Sequence, residues 1–362
     1  MERRYDFAVL GRGRLGNGIL QQLFDAEEAV LVPPFPVSDR GADAAALLAL
    51  IPGNPGSGLA AWPWMQRAGL LVHGPAWAAR MPETFAAVTT GDLLIQIVRR
   101  PDEHIVALWR HVVRHRATLA YGGDAPDANW IVALDSLVDL DRFLAEHAQT
   151  CRHHALGAPA AAGFGRWLAL DFADLMPERI DGAIDALFGA LGGAFSGERA
   201  PLRRIERTVA KHYLSASISV VELFGARLPV KLGYPGDIDP NHEERFEHEL
   251  CRIEPAAAAA LAPQSFALEP RPLALFTSLT GYAVLPWRLR RRLEAEEGWR
   301  RLMVERIVPI WSSRADRVER RVAALLDGVD TERLRRGILP LIAEDRARFR
   351  ASHPKVGVDW SA

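Results

Sequence analysis

The sequence predicts an α/β fold with a mostly parallel central sheet flanked by helices, and a helical C-terminal portion. Three observations point there. Short apolar runs recur through the first half, several closing on a glycine, histidine or arginine at a polar turn. Segments of helical periodicity lie between them. The first run passes through a glycine-rich turn straight into a helical pattern, the junction of a βα unit. With 362 residues, 49% of them hydrophobic and 25% charged, the chain has enough material for a large core and ordinary globular composition.

Phe7-Ala8-Val9-Leu10 reads as a buried strand. It enters Gly11-Arg12-Gly13-Arg14-Leu15-Gly16-Asn17-Gly18, and Ile19-Leu20-Gln21-Gln22-Leu23-Phe24 then follows a helical pattern. A strand, a glycine-rich turn and a helix N-terminus together make a phosphate-binding geometry, because backbone N–H groups point outward and the helix dipole favours an anion. Residues 33–63 are rich in Pro, Gly and Ala, with one helix-like stretch at 42–50 and a loop at 52–58. Further strands are expected at 69–72, ending in His73-Gly74-Pro75, and at 93–98, ending in Arg99-Arg100-Pro101. A helix runs on from residue 105 towards His115. Residues 130–134 suit a strand or the approach to a helix, 139–154 a helix, and 167–170 a fourth strand. The helix from 180 to about 191 stops at Gly192-Gly193.

Signals weaken beyond residue 200. Residues 287–351 are helical and carry charge of both signs, with Arg288, Arg290, Arg291 and Arg292 followed by Glu294, Glu296 and Glu297. Such a pattern reads as a solvated face. The same Arg/Glu-rich helices leave open a homo-oligomer. No linker divides the chain cleanly, so a single domain over 1–362 is expected, with its core in 5–195 and a variable, partly helical region in 196–362.

Lys+Arg number 44 and Asp+Glu 45, a net charge of −1, which argues against general nucleic-acid binding. No stretch reaches the roughly 18 apolar residues of a membrane span, and the N-terminus lacks the apolar core of a signal peptide. A cytoplasmic protein without membrane partners is expected. Cys151 and Cys251 are the only cysteines, too few for a disulfide framework and wrongly spaced for zinc. His153-His154 and the His111/His115 pair lack a third ligand. Asp237-x-Asp239-x-Asn241 begins like a calcium loop, but Pro240 and His242 stand where flexibility and glycine are needed. No metal is expected.

Three segments together resemble the sulfotransferase family, whose members use 3′-phosphoadenosine 5′-phosphosulfate as co-substrate. The family's bacterial phosphosulfate loop reads roughly Gly-x-x-Arg-Ser-Gly-Thr-Thr-Leu-Leu. Gly11, Arg14 and Gly16 fall at matching positions, while Leu15, Asn17 and Gly18 replace the Ser and both Thr. The second signature is a strand ending in Arg-x-Pro, matched by Arg99-Arg100-Pro101, and a helix bearing a Ser eight residues after the Arg, where this chain has Ala107. The third is a hydrophobic strand, an Asp-Leu pair and a helix closing near Phe-Leu-Gly, resembled by residues 168–175 and Phe188–Gly192.

The resemblance implies a P-loop-like sulfotransferase fold and a small-molecule hydroxyl or amine as acceptor. It assigns the phosphosulfate to Gly11, Arg12, Gly13, Arg14, Gly16, Asn17 and Gly18, and the nucleotide's 3′-phosphate to Arg99. Arg14 would stabilise the leaving group, and His73 would supply the base, its His-x-Pro resembling that of the cytosolic enzymes. Arg203 or Arg204 could replace the missing serine hydroxyl, and Trp62-Pro63-Trp64 could line an apolar acceptor pocket.

Gly11-x-Gly13-x-x-Gly16 is also a dinucleotide fingerprint, which makes an NAD(P)-dependent oxidoreductase the alternative from another reaction class. That pattern wants an acidic residue at the end of the second strand. Ala29-Val30-Leu31-Val32 ends instead in Pro33-Pro34. A third reading is a sulfotransferase fold that has lost its donor and binds another phosphorylated ligand or a partner.

Overall fold

A computed structural model describes residues 2–11, 19–20, 23–24, 27, 29–32, 43–63, 65–73, 81–123, 125–176, 178–193, 218–223, 226–233, 246, 248–254, 256, 272–283 and 285–356. The chain forms two compact units. The first comprises Met1–Leu108, Leu140–Ile205 and Thr331–Ala362, the second Trp109–Asp139 and Glu206–Asp330.

The first unit is built on a five-stranded sheet of β1 (Tyr5–Gly11), β2 (Val30–Leu31), β3 (Arg67–His73), β4 (Thr89–Val98) and β5 (Arg166–Asp171). Its order is β2-β3-β1-β4-β5, and every pairing is parallel. The strands read as unbroken apolar runs because both faces are covered. Phe7, Val9, Leu71, Ile95, Ile97 and Leu170 face one core. Ala8, Leu10, Leu70, Val72 and Leu94, one residue out of phase, face the other.

The first core is closed by Leu20, Leu23 and Phe24, all helical in the segment after the glycine-rich turn. It is closed as well by Ile184, Leu187 and Phe188 of a helix that runs Ile180–Ala190. That helix ends as its glycines predict. Gly192 has φ +84°, its N–H bonds to the Gly189 carbonyl at 3.1 Å, and Gly193 N–H reaches the Phe188 carbonyl at 3.0 Å. This is the paired bonding of a Schellman cap.

The second core takes Leu47 and Leu48 from α1 (Ala44–Leu48) and Phe85 and Val88 from α2 (Pro82–Val88). Tyr5 is buried there, its hydroxyl donating to the Leu47 carbonyl at 2.7 Å, and burial pushes the phenol well above its ordinary pKa.

After β4 comes α3 (Pro101–Tyr121), which starts on proline with Asp102 and Glu103 in its first turn. Residues 130–134 belong to helix α4 (Ala128–Asp135), started by Asp127, whose carboxylate accepts from Asn129 N at 2.9 Å and Trp130 N at 3.3 Å. The one helix expected at 139–154 is two, α5 (Leu140–His147) and α6 (His153–Ala161), parted by a 3-10 turn at Ala148–Cys151. The break gives His153 the first position of its own helix. With α3, α4, α5 and α6 placed, the helix at Ile180–Ala190 is α7.

The second unit holds an antiparallel sheet of β6 (Ile218–Leu223), β7 (Ala226–Gly233), β8 (His248–Ile253) and β9 (Leu273–Thr277), in the order β6-β7-β9-β8. The sequence pattern did not announce it. Helices α8 (Leu279–Ala283), α9 (Trp287–Glu294), α10 (Glu296–Leu302) and α11 (Val308–Asp327) follow. Arg314 of α11 is buried and donates to the Ile218 carbonyl at 3.2 Å and Ser219 Oγ at 3.1 Å.

The chain then returns to the first unit as α12 (Thr331–Leu341) and α13 (Ala343–Ser352). Helix α12 buries Leu334 and Ile338 and pairs Arg333 with Asp141 of α5. On α13, Asp345 accepts from the backbone N–H groups of His154 at 3.1 Å and Ala155 at 2.7 Å, supplying the cap that α6 lacks from its own sequence. Among the described residues no helix is long and apolar enough to cross a membrane.

Candidate functional site

In an open parallel sheet, ligands bind outside the carboxyl ends of the strands where the strand order reverses. Here that point is β1, with β3 and β2 to one side and β4 and β5 to the other. Three positions singled out in the sequence share this edge. Gly11 ends β1 and lies in register with His73, which ends β3. Arg99 follows Val98, the last residue of β4, and Val98 in turn pairs with Asp171 at the end of β5. At about 4.8 Å between neighbouring strands, the ends of β3 and β4 are roughly 10 Å apart across β1. That spacing suits groups addressing two parts of one nucleotide-sized ligand.

Arg12, Gly13, Arg14, Gly16, Asn17 and Gly18 lie outside the described residues, as do Trp64, Arg203, Arg204 and the Asp237–Asn241 turn. The His73 backbone is described as strand and its side chain is not. What the fold establishes is that the loop bearing Arg14 leaves the carboxyl end of the central strand and enters a helix buried on the sheet.

The two arginines after β4 are engaged differently. Arg100 forms a fork with Asp102, Nε at 3.2 Å from Oδ1 and Nη2 at 2.8 Å from Oδ2. That hydrogen bond raises the pKa of Arg100. Arg99 lies over the Phe172 ring, 4.3 Å from its centroid, with Nε 3.6 Å from Glu103 Oε2. Its side chain is 20% exposed, and burial lowers its pKa against the opposing charges of Glu103, Asp102 and Asp171. A guanidinium stacked on an aromatic face, partly desolvated and at a strand end, is suited to bidentate contact with phosphate. Ala107 is half-buried on α3.

Sequence reasoning missed the surroundings of Arg99. A cleft of about 490 Å³ opens beside β5, lined by Leu168, Leu170, Asp171, Asp174, Arg179 and Gly182 among others. Asp171 accepts from Ala173 N at 3.0 Å, and Asp174 pairs with Arg179 at 3.7 Å. His153 is buried against β4, its Nε2 2.9 Å from the Arg99 carbonyl oxygen. Only the ring's neighbours reveal its task, and they come from segments far apart in the chain.

No family model matches the chain, and no curated protein matches it. Among solved structures, a sulfotransferase from Alicyclobacillus acidocaldarius is 14% identical over 54% of this chain and 83% of that one, with a TM-score of 0.33. A likeness that slight says nothing of activity.

Proposed function

We propose that the carboxyl edge of the parallel sheet binds 3′-phosphoadenosine 5′-phosphosulfate and that the chain transfers its sulfuryl group to a small-molecule hydroxyl or amine. The observation that carries the proposal is the strand order. In the dinucleotide-binding fold the order runs 3-2-1-4-5-6, so the second strand lies beside the first. Here β1 is flanked by β3 and β4, and β2 pairs only with β3 among the described residues. Gly11, the residue before the glycine-rich turn, therefore lies between the ends of β3 and β4, in register with His73 and beside the strand that Arg99 follows. This counts against the nicotinamide alternative.

In the proposed reaction the sulfur–oxygen bond to the departing nucleotide breaks as the acceptor oxygen or nitrogen bonds to sulfur. Negative charge grows on the bridging phosphate oxygen, and Arg14 together with loop N–H groups would stabilise it more in the transition state than in the ground state. His73 would take the acceptor's proton. Arg99 would hold the 3′-phosphate. Ala107 favours a second reading, in which the edge keeps a phosphorylated ligand without the sulfuryl chemistry.

The test is turnover. Incubation with the phosphosulfate donor and pooled hydroxyl and amine acceptors should release adenosine 3′,5′-bisphosphate. Arg14→Ala and His73→Ala should abolish the release with unchanged melting curves. Full activity in either variant would remove that residue from the mechanism.

A further inference from the structure

Arg99 is held through its backbone as well as its side chain. A carbonyl oxygen can only accept, so the 2.9 Å contact places a proton on His153 Nε2 and makes the imidazole the donor. His153 is tied to β4 a second time, because Gln96 Nε2 donates to the His153 carbonyl at 2.8 Å. Gln96 is itself buried on β4 and stands three residues before Arg99. His153 of α6 is thus bonded to Gln96 of β4 through its carbonyl and to Arg99, the residue after β4, through its ring.

The elements around this strand end converge on the same ring. His104, in the first turn of α3, lies nearly parallel to it, with centroids 6.0 Å apart and planes at 10°. Phe349 of α13 approaches at 6.0 Å and 58°. Asp345 holds the start of α6 through the two N–H groups after His153. Cys151 Sγ sits 3.7 Å from His104 Nδ1, with the Pro101 carbonyl at 3.8 Å. A leucine would bring no ring nitrogens into the core, where a polar group without a hydrogen-bond partner is costly. What the histidine adds is a directed N–H.

That N–H meets the Arg99 carbonyl, in the two-residue link between the end of β4 and the start of α3. Proline at 101 confines Arg100 to extended conformations. The Arg100 carbonyl is already engaged by His104 N at 2.8 Å. Rotation about ψ of Arg99 would turn the carbonyl that His153 holds, and the hydrogen bond opposes it. Bidentate recognition of phosphate requires a guanidinium placed within about 0.5 Å and 10–20°.

We infer that His153 is a positioning residue for Arg99, locking the peptide plane at the end of β4 so that the guanidinium faces the 3′-phosphate of an adenine nucleotide. The inference rests on Arg99 being the phosphate-binding cation of the proposed function.

The test compares full-length wild type, His153→Leu, His153→Gln and Arg99→Ala by calorimetric titration with adenosine 3′,5′-bisphosphate and with adenosine 5′-phosphate, which lacks the 3′-phosphate. His153→Leu should lower the preference for the bisphosphate about tenfold while leaving affinity for the monophosphate unchanged. His153→Gln, whose amide N–H reaches about as far as Nε2, should restore the preference, and adding His153→Leu to Arg99→Ala should cost nothing more. Equal weakening of both ligands would mean a merely structural histidine and would overturn the inference.

Hydrogen exchange over residues 97–104, measured without nucleotide, separates the two claims. Exchange should quicken in His153→Leu and not in His153→Gln, and unchanged exchange in His153→Leu overturns the hold on Arg99. Where exchange responds as expected but wild type does not distinguish the two nucleotides, the donor reading fails and the backbone role of His153 stands.

Discussion

Gly69 of β3 stands opposite Phe7 of β1 in the parallel register, and the Phe7 ring fills the space a side chain at 69 would occupy. A Cβ there would overlap the ring, and Phe7 is fully buried and has nowhere to retreat. Gly69→Ala should therefore destabilise the first unit by about 1–3 kcal/mol, the usual cost of overpacking a filled core. Thermal melts check this, and Phe7→Leu in the same chain should recover part of the loss.

Asp345 caps α6 from another helix, so its removal is a test of how the C-terminal segment supports the site. Asp345→Ala leaves two N–H groups without that acceptor and should cost about 1 kcal/mol, with Asp345→Asn closer to wild type. Denaturant midpoints would show the order Asp, Asn, Ala. Equal midpoints for all three would mean that solvent satisfies the helix end as well as the carboxylate does.

Burial alone would raise the pKa of the Asp102 carboxyl, but the hydrogen bond and charge of Arg100, with nearby backbone N–H groups, hold it below the ordinary carboxylate range. The unfolded chain then binds more protons than the folded one as pH falls through that range. The stability Asp102 contributes is complete above its unfolded pKa of about 3.9 and is lost as pH drops towards the folded value. Asp102→Asn should melt below wild type at neutral pH, and the gap should close in acid. A gap independent of pH would contradict the assignment.

Under the proposed function, Ala107→Ser adds a hydroxyl beside the phosphate assigned to Arg99. A hydrogen bond to a charged group is worth about 1.5–3 kcal/mol, so bisphosphate affinity should rise about tenfold or more. Unchanged affinity would show that the phosphate does not approach α3 at this position.

Much of the first unit was legible because each strand carries its evidence locally. The apolar runs of β1, β3 and β4 are buried on both faces, and α7 stops where Gly192 takes positive φ. The sheet of the second unit was hidden by its own residues. Pro229 sits inside β7, paired with Val220, where proline argues against a strand, and β8 is only half-buried. The return of α12 and α13 to the first unit rests on contacts such as Asp345 with Ala155, 190 positions apart, which no local pattern encodes. The same holds at the candidate site. The strand-end residues Gly11, His73 and Arg99 could be picked out singly, but His153 acquires its role only from a carbonyl 54 positions away.

The most direct measurement is calorimetric titration of adenosine 3′,5′-bisphosphate into wild type and Arg99→Ala at low salt, with NADPH and NADH in parallel. The account predicts that wild type binds the bisphosphate, that Arg99→Ala weakens it about tenfold or more, and that neither nicotinamide cofactor binds. Binding of a nicotinamide cofactor without the bisphosphate, or an Arg99→Ala variant that binds the bisphosphate as wild type does, would contradict it.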